Sequence, residues 1–139
     1  MGQTTPGSGS VARPPSVLLV DDEDVIREAM RELFQEEGFV VVGECANGAD
    51  AVRVAAESRP EVVLMDLRMP VLDGIEATAR ITELLPDTQV IVLTAYDDPA
   101  LERDAIRAGA YRFVPKGISV PLLLQVVQSA VSRARERTG

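Results

Sequence analysis

The chain has 139 residues, is 46% hydrophobic but only 4% aromatic, and sets 14 Lys and Arg against 22 Asp and Glu for a net charge of −8; this suits one domain with an aliphatic core. The acidity argues against a phosphate-contacting nucleic-acid surface and against adhesion to an anionic membrane. No apolar run reaches the roughly 18 residues of a membrane span, the start lacks the pattern of a secretory signal, the absence of His excludes imidazole chemistry, and the single cysteine, Cys45, excludes an internal disulfide and fits a reducing cytoplasm.

Residues 1–15 are rich in Gly, Ser, Thr and Pro without apolar periodicity, which predicts a disordered N-terminal tail ahead of a domain over 16–137. From Ser16 short apolar runs alternate with longer amphipathic segments. The runs lie at 17–20, 40–42, 62–65, 90–93 and 113–114. They are short, rich in β-branched residues and mostly unbroken by polar residues, the pattern of parallel strands covered on both faces. The last is the weakest, being two apolar residues between Arg112 and Pro115.

Between them lie five predicted helices. Ile26, Ala29, Met30, Leu33 and Phe34 share one face of a helix ending at Gly38. Ala51, Val52, Ala55 and Ala56 mark a second, stopped before Pro60. Ile75, Ala79, Thr82 and the Leu84-Leu85 pair mark a third, stopped before Pro86. Pro99 opens a fourth through Leu101, Ala105 and Ala108 to Gly109. Leu123, Val126, Val127, Ala130, Val131 and Ala134 define a fifth, whose basic end (Arg133, Arg135, Arg137) suits the helix dipole. Five strands alternating with five helices predict an α/β, doubly wound parallel sheet with helices on both faces. In such a sheet the chemistry gathers beyond the carboxyl ends of the strands.

Those ends carry Asp21-Asp22-Glu23-Asp24, then Asp66, then Thr94-Ala95, with Lys116 after the fifth strand. If the strands are parallel, these residues converge. Clustered carboxylates repel unless something compensates. A hard divalent cation such as Mg²⁺ does so with oxygen ligands and leaves positions for phosphoryl oxygens. A carboxylate there can act as nucleophile toward phosphorus, while Lys116 neutralises charge and the Thr94 hydroxyl donates a hydrogen bond.

At this point the chain closely resembles the response-regulator receiver family, from about Val17 to Arg135. The resemblance is carried by Asp21-Asp22, by Met65-Asp66-Leu67-Arg68-Met69-Pro70 with Asp73-Gly74 behind it, by Thr94-Ala95, and by Phe113 three residues before Lys116. It implies a flavodoxin-like sheet of strand order 2-1-3-4-5. It implies Asp66 as phosphoacceptor, Asp22 as direct metal ligand, Asp21 as the acid reaching the metal through water, and the Arg68 carbonyl as completing the Mg²⁺ shell. Thr94 matches the switch hydroxyl, Phe113 the aromatic that turns inward with it, and Lys116 the lysine that pairs with phosphoryl oxygens. Arg68 and Tyr96 match the two positions that flank the site and tune hydrolysis. Pro115 precedes the lysine and Gly117 follows it, so the cis proline that follows this lysine in many receivers is not expected.

The implied function is a cytoplasmic signalling switch. A sensor histidine kinase donates a phosphoryl group to Asp66, and the surface of the fourth helix, fifth strand and fifth helix then changes its affinity for a partner or a second copy. The chain is expected to be no enzyme beyond its own phosphorylation and dephosphorylation. A homodimer and a C-terminal DNA-binding output domain outside these residues remain open. Three rival readings compete with it. A haloacid-dehalogenase-type phosphohydrolase needs a second acid at position 68, which is Arg. A nucleotide or flavin module needs a phosphate-cradling loop where Asp-Asp-Glu-Asp stands. A degenerate receiver acting only through protein contacts is the remaining alternative. Glu23 and Asp24 read as helix caps, Asp73-Gly74 as a turn former, and Cys45 as a small hydrophobe without redox role.

Overall fold

A computed structural model describes residues 13–67, 69, 72–95 and 98–138. The chain runs β1 (Ser16–Val20), α1 (Asp24–Glu36), β2 (Val40–Cys45), α2 (Gly48–Ser58), β3 (Val62–Asp66), α3 (Gly74–Leu84), β4 (Gln89–Thr94), α4 (Pro99–Arg107), β5 (Arg112–Pro115) and α5 (Val120–Thr138). All four strand pairings are parallel, and the sheet order is β2-β1-β3-β4-β5. The predicted flavodoxin-like order 2-1-3-4-5 is therefore what the chain adopts.

Alternation along the three central strands sends side chains to two separate cores. Leu18, Val20, Val63, Met65, Val90 and Val92 face Ala51, Ala55, Ala77, Ile81 and Ala105 of α2, α3 and α4. Val17, Leu19, Val62, Leu64, Ile91 and Leu93 face Phe34 of α1 and Leu123, Val127, Ala130 and Val131 of α5. Each fully buried aliphatic side chain contributes about 1.5–3 kcal/mol. Alanines on the first face let three helices lie close to the sheet.

The helix ends follow their local chemistry. Gly38 at φ 86 and Gly109 at φ 110 take the left-handed conformation that closes α1 and α4. Asn47, Asp73 and Asp98 cap α2, α3 and α4, accepting from the backbone N–H groups of Asp50, Glu76 and Ala100. The third helix is turned somewhat from the face its sequence suggests: the predicted Ile75 and Leu85 do pack into the core, but the centre of the buried face is shifted. Ala77, Thr78 and Ile81 are buried, whereas Leu84 is 57% exposed. The fifth strand is longer than its two apolar residues imply. Its Pro115 is tolerated because β5 lies at the sheet edge, and Lys116 N–H takes up the next hydrogen bond, to Thr94 O at 2.8 Å.

The expected tail lies outside the described residues up to residue 12. Arg13 to Pro15 are held against the domain: Val40 N–H donates to Pro15 O, and Arg135 donates to Arg13 O. Glu61 is the hub of this edge. Its carboxylate accepts from Arg135, from Ser16 N–H at 3.0 Å and from Arg13 at 3.4 Å. Burial opposes ionisation of Glu61, but the Arg135 hydrogen bond, the Ser16 N–H and the two guanidinium charges outweigh it and hold the pKa below the usual value. A depressed carboxylate contributes stability that is present above its unfolded pKa, about 4.3 for Glu, and lost as pH falls through the folded value. Glu61→Gln is expected to cost about 1–2 kcal/mol in urea denaturation at neutral pH. The difference from wild type should shrink below about pH 4, where the unfolded carboxyl is protonated as well. A loss independent of pH would mean that packing, not charge, supplies the effect.

Candidate functional site

The strand ends do converge. Asp21 follows β1 directly, because its N–H continues the ladder to Cys45 O at 3.0 Å. Asp66 is the last residue of β3, in register with Leu93 of β4. Thr94 ends β4, and Lys116 follows β5. One carboxylate oxygen each from Asp21, Asp22 and Asp66 lie within 4.8 Å of one another. Asp21 and Asp66 are buried, at 7% and 6% exposure, and Asp22 is exposed. Lys116 Nζ sits 3.1 Å from Asp21 Oδ2, 3.2 Å from Asp66 Oδ1 and 3.7 Å from Glu23 Oε1.

This geometry explains the electrostatics. Burial is the main cause that pushes the Asp66 carboxyl above the usual aspartate range, and the nearby Asp21 charge adds to it. The Lys116 ammonium and the Leu67 N–H pull the other way without prevailing. At Lys116 burial disfavours the charge, but hydrogen bonds and attraction to Asp21 and Asp66 exceed it, so its pKa is raised. The two directions agree: Lys116 is held as a cation, and one cation is too little for the carboxylates around it. Hard oxygen donors with surplus negative charge are the donor set that Mg²⁺ takes, so the residues fit that ion.

Thr94 is 2% exposed at the same edge. Phe113 on β5 is half-buried and packs against the core under α2, α3 and α4. Arg68 and Tyr96, the predicted carbonyl ligand and flanking side chain, lie outside the described residues. Gly74 makes the pocket floor possible. A Cβ there would stand 2.2 Å from Asp66 O, and its N–H donates to Leu67 O at 2.9 Å, so α3 starts directly against the end of β3. The predicted turn at Asp73-Gly74 is thus in place.

The expectation that Glu23 and Asp24 cap α1 needs correction. Glu23 stands at the N-cap position but its side chain makes no capping bond. Instead its N–H donates to Asp21 Oδ1 at 2.9 Å, and Asp24 pairs with Arg27. Cys45 is 4% exposed, and burial pushes its thiol up to about 11, which keeps it protonated and inert. Sequence reasoning missed Arg27, whose guanidinium reaches back from α1 to the Asp21 carbonyl. A cation one turn into a helix behind an acidic loop was the available signal.

The comparisons agree with this geometry. A model of the response regulator receiver domain matches residues 17–128. The transcriptional regulatory protein PdtaR of Mycobacterium tuberculosis is 38% identical over 139 residues, covering 99% of this chain and 65% of that protein. A putative transcriptional regulator of Pseudomonas aeruginosa is 39% identical over 116 residues, 84% of this chain and 56% of the relative. The chain therefore spans between about half and two thirds of the length of these relatives. Among solved structures, the CheX-CheY-BeF3-Mg+2 complex from Borrelia burgdorferi matches with TM-score 0.82 and 29% identity, over 88% of this chain and 92% of that one. A two-component response regulator of the LuxR family from Aurantimonas sp. gives TM-score 0.80 and 29% identity, over 91% and 99%. Among the described residues no helix is long and apolar enough to cross a membrane. Family match, sheet order and strand-end acids coincide, and the chain belongs to the response regulator receiver domain family.

Proposed function

We propose that this chain takes a phosphoryl group onto Asp66 from a phosphohistidine of a sensor histidine kinase, in a Mg²⁺-dependent reaction. The observation that carries the reading is the seating of Lys116 Nζ between the Asp21 and Asp66 carboxylates, with Asp22 close by. In the reaction an Asp66 Oδ attacks phosphorus, the O–P bond forms and the donor's N–P bond breaks. The imidazole leaves with the bond's electron pair and takes up a proton. Asp21, Asp22 and Asp66 would hold the Mg²⁺, joined by the Arg68 carbonyl, and the ion when bound supplies charge neutralisation for the transferring phosphoryl oxygens. Lys116 neutralises a further oxygen, and the Thr94 hydroxyl donates to the same group.

The added group brings a charge near −2. Lys116 and Thr94 answer it differently from the unmodified carboxylate, so two arrangements of the β4 and β5 ends acquire different free energies. Phe113, half-buried on β5, is the side chain whose inward turn would carry that difference to the α4-β5-α5 surface, where a partner or a second copy binds. The Borrelia burgdorferi CheY in the neighbouring structure was captured with BeF3 and Mg, a ligand pair that the acids and lysine here would also accept. The curated relatives are named as transcriptional regulators, which supports a DNA-binding output domain in the whole protein. The receiver itself turns over no external substrate in this reading.

The reading is tested with acetyl phosphate or phosphoramidate plus Mg²⁺, followed by intact mass. Wild type should gain one phosphoryl group, about 80 Da, and omission of Mg²⁺ should abolish the gain. A gain independent of Mg²⁺, or none at all, contradicts it.

A further inference from the structure

Asp21 is held on every polar group it has. Its N–H donates to Cys45 O, its Oδ1 accepts from Glu23 N–H at 2.9 Å, and its Oδ2 meets Lys116 at 3.1 Å. The fourth group, its main-chain carbonyl, accepts from Arg27 Nη1. The first three follow from the strand ladder, the turn into α1 and the site lysine. The fourth requires a long side chain to fold back from α1 into a place where it is only 15% exposed.

That placement has a cost. Arg27 Nε is buried without a hydrogen-bond partner, and Glu44 Oε1 stands 3.7 Å away, an ion-pair distance too long for a hydrogen bond. Nη2 is engaged by Asp24. A guanidinium presents its donors in one rigid plane, so binding Asp24 and the Asp21 carbonyl together sets the carbonyl's direction. A peptide unit is planar. Fixing the Asp21 carbonyl therefore fixes the Asp21–Asp22 peptide and the direction in which Asp22 leaves the strand.

We infer that Arg27 is a positioning residue for the metal site: it holds the acidic loop from behind so that the Asp21 and Asp22 carboxylates are presented together with Asp66. The inference rests on the Mg²⁺ reading of that site. It predicts an effect opposite in sign to that of charge alone. Arg27 is a cation next to an acidic cluster, so its mere charge repels Mg²⁺, and removing that charge would tighten binding. Removing a positioning contact loosens it.

The test is calorimetric titration of Mg²⁺ into the full chain. Arg27→Gln should weaken Kd about tenfold, the usual scale for losing a group that orients a metal ligand. Arg27→Lys should fall between the two, because an ammonium can reach the carbonyl but cannot hold Asp24 in the same plane. Arg31→Gln removes the same charge one turn further along α1, where Arg31 pairs with Glu44 at 3.1 Å, and should leave Kd near wild type. An Arg27→Gln protein with unchanged or tighter Kd overturns the inference, as does an equal loss in Arg31→Gln. If Arg27→Gln does not fold, Arg27→Lys decides alone: a weaker Kd supports positioning and an unchanged Kd overturns it. A wild type that binds no Mg²⁺ is a different failure, since it removes the underlying reading of the site and the inference with it.

Discussion

Asp66→Asn is expected to abolish covalent phosphorylation, leaving the intact mass unchanged under conditions in which wild type gains about 80 Da. The amide oxygen carries no charge and is a poor nucleophile toward phosphorus. Asp21 is close enough to take over only if the chemistry is indifferent to position, and Lys116 and the Glu23 N–H already engage both its oxygens. The same substitution has a second, opposite consequence. Burial first, and the Asp21 charge second, raise the Asp66 pKa in the folded chain. An acid whose folded pKa is raised binds its proton more tightly when folded. Stability therefore falls as pH rises from the unfolded value, about 3.9 for Asp, through the raised folded value, and stays lower above it. Asparagine has no such penalty, and Lys116 keeps Asp21 as a partner. Without Mg²⁺ the variant should be more stable than wild type in urea at neutral pH, and the gap should close at low pH. Mg²⁺ should stabilise wild type more than the variant. An Asn variant less stable than metal-free wild type at neutral pH would show that Asp66 is not a strained charge.

Lys116→Met is expected to separate metal binding from phosphoryl transfer. Methionine keeps an unbranched apolar stem of similar reach and removes the cation that Asp21, Asp66 and Glu23 share. With the ammonium gone, carboxylate repulsion is less compensated, so metal-free stability should drop by about 1–3 kcal/mol, a buried-pair loss discounted for the partial exposure of Lys116. Mg²⁺ no longer competes with Nζ and should bind tighter. Transfer should nevertheless slow about a hundredfold, the scale of losing one charged donor to the transferring group. Stopped-flow phosphorylation with phosphoramidate at saturating Mg²⁺, set beside Mg²⁺ titration, reads both. Tighter metal with slower transfer is the expected pair. Weaker metal binding would mean that Lys116 organises the acids rather than neutralising the phosphoryl group.

Most of the architecture was legible because covered parallel strands leave a plain sequence mark. Val62, Val63, Leu64 and Met65 are all buried, and no polar residue interrupts them. The site was legible because its acids sit at the ends of such runs, where parallel order brings them together. What was hidden was hidden for physical reasons. Alanine reads as apolar on any helix face, so Ala79 on α3 resembled the core while Ala77, Thr78 and Ile81 formed it. Only α1 residue Phe34 is fully buried, and Ala29 on its predicted face is exposed, leaving an apolar groove of about 350 Å³ that Ile26, Met30, Ile118 and Leu123 help to line beside Lys116. Sequence periodicity shows that a face is apolar but not how much of it a neighbour covers. Glu61 resembled an ordinary surface charge, because its partner, an arginine 74 residues away, leaves no pattern in the chain, and the one local hint at Arg27, a cation just behind an acidic loop, does not name the main-chain carbonyl it meets.

The central claim is that the nucleophile is Asp66 and no other acid of the cluster. Borohydride reduction of the phosphorylated chain converts an acyl phosphate into a primary alcohol, which marks the modified aspartate as homoserine in a peptide map. Homoserine at position 66, in a Mg²⁺-dependent amount, is the expected result. Homoserine at position 21 or 22, or a phosphorylated chain that yields none, would contradict the account.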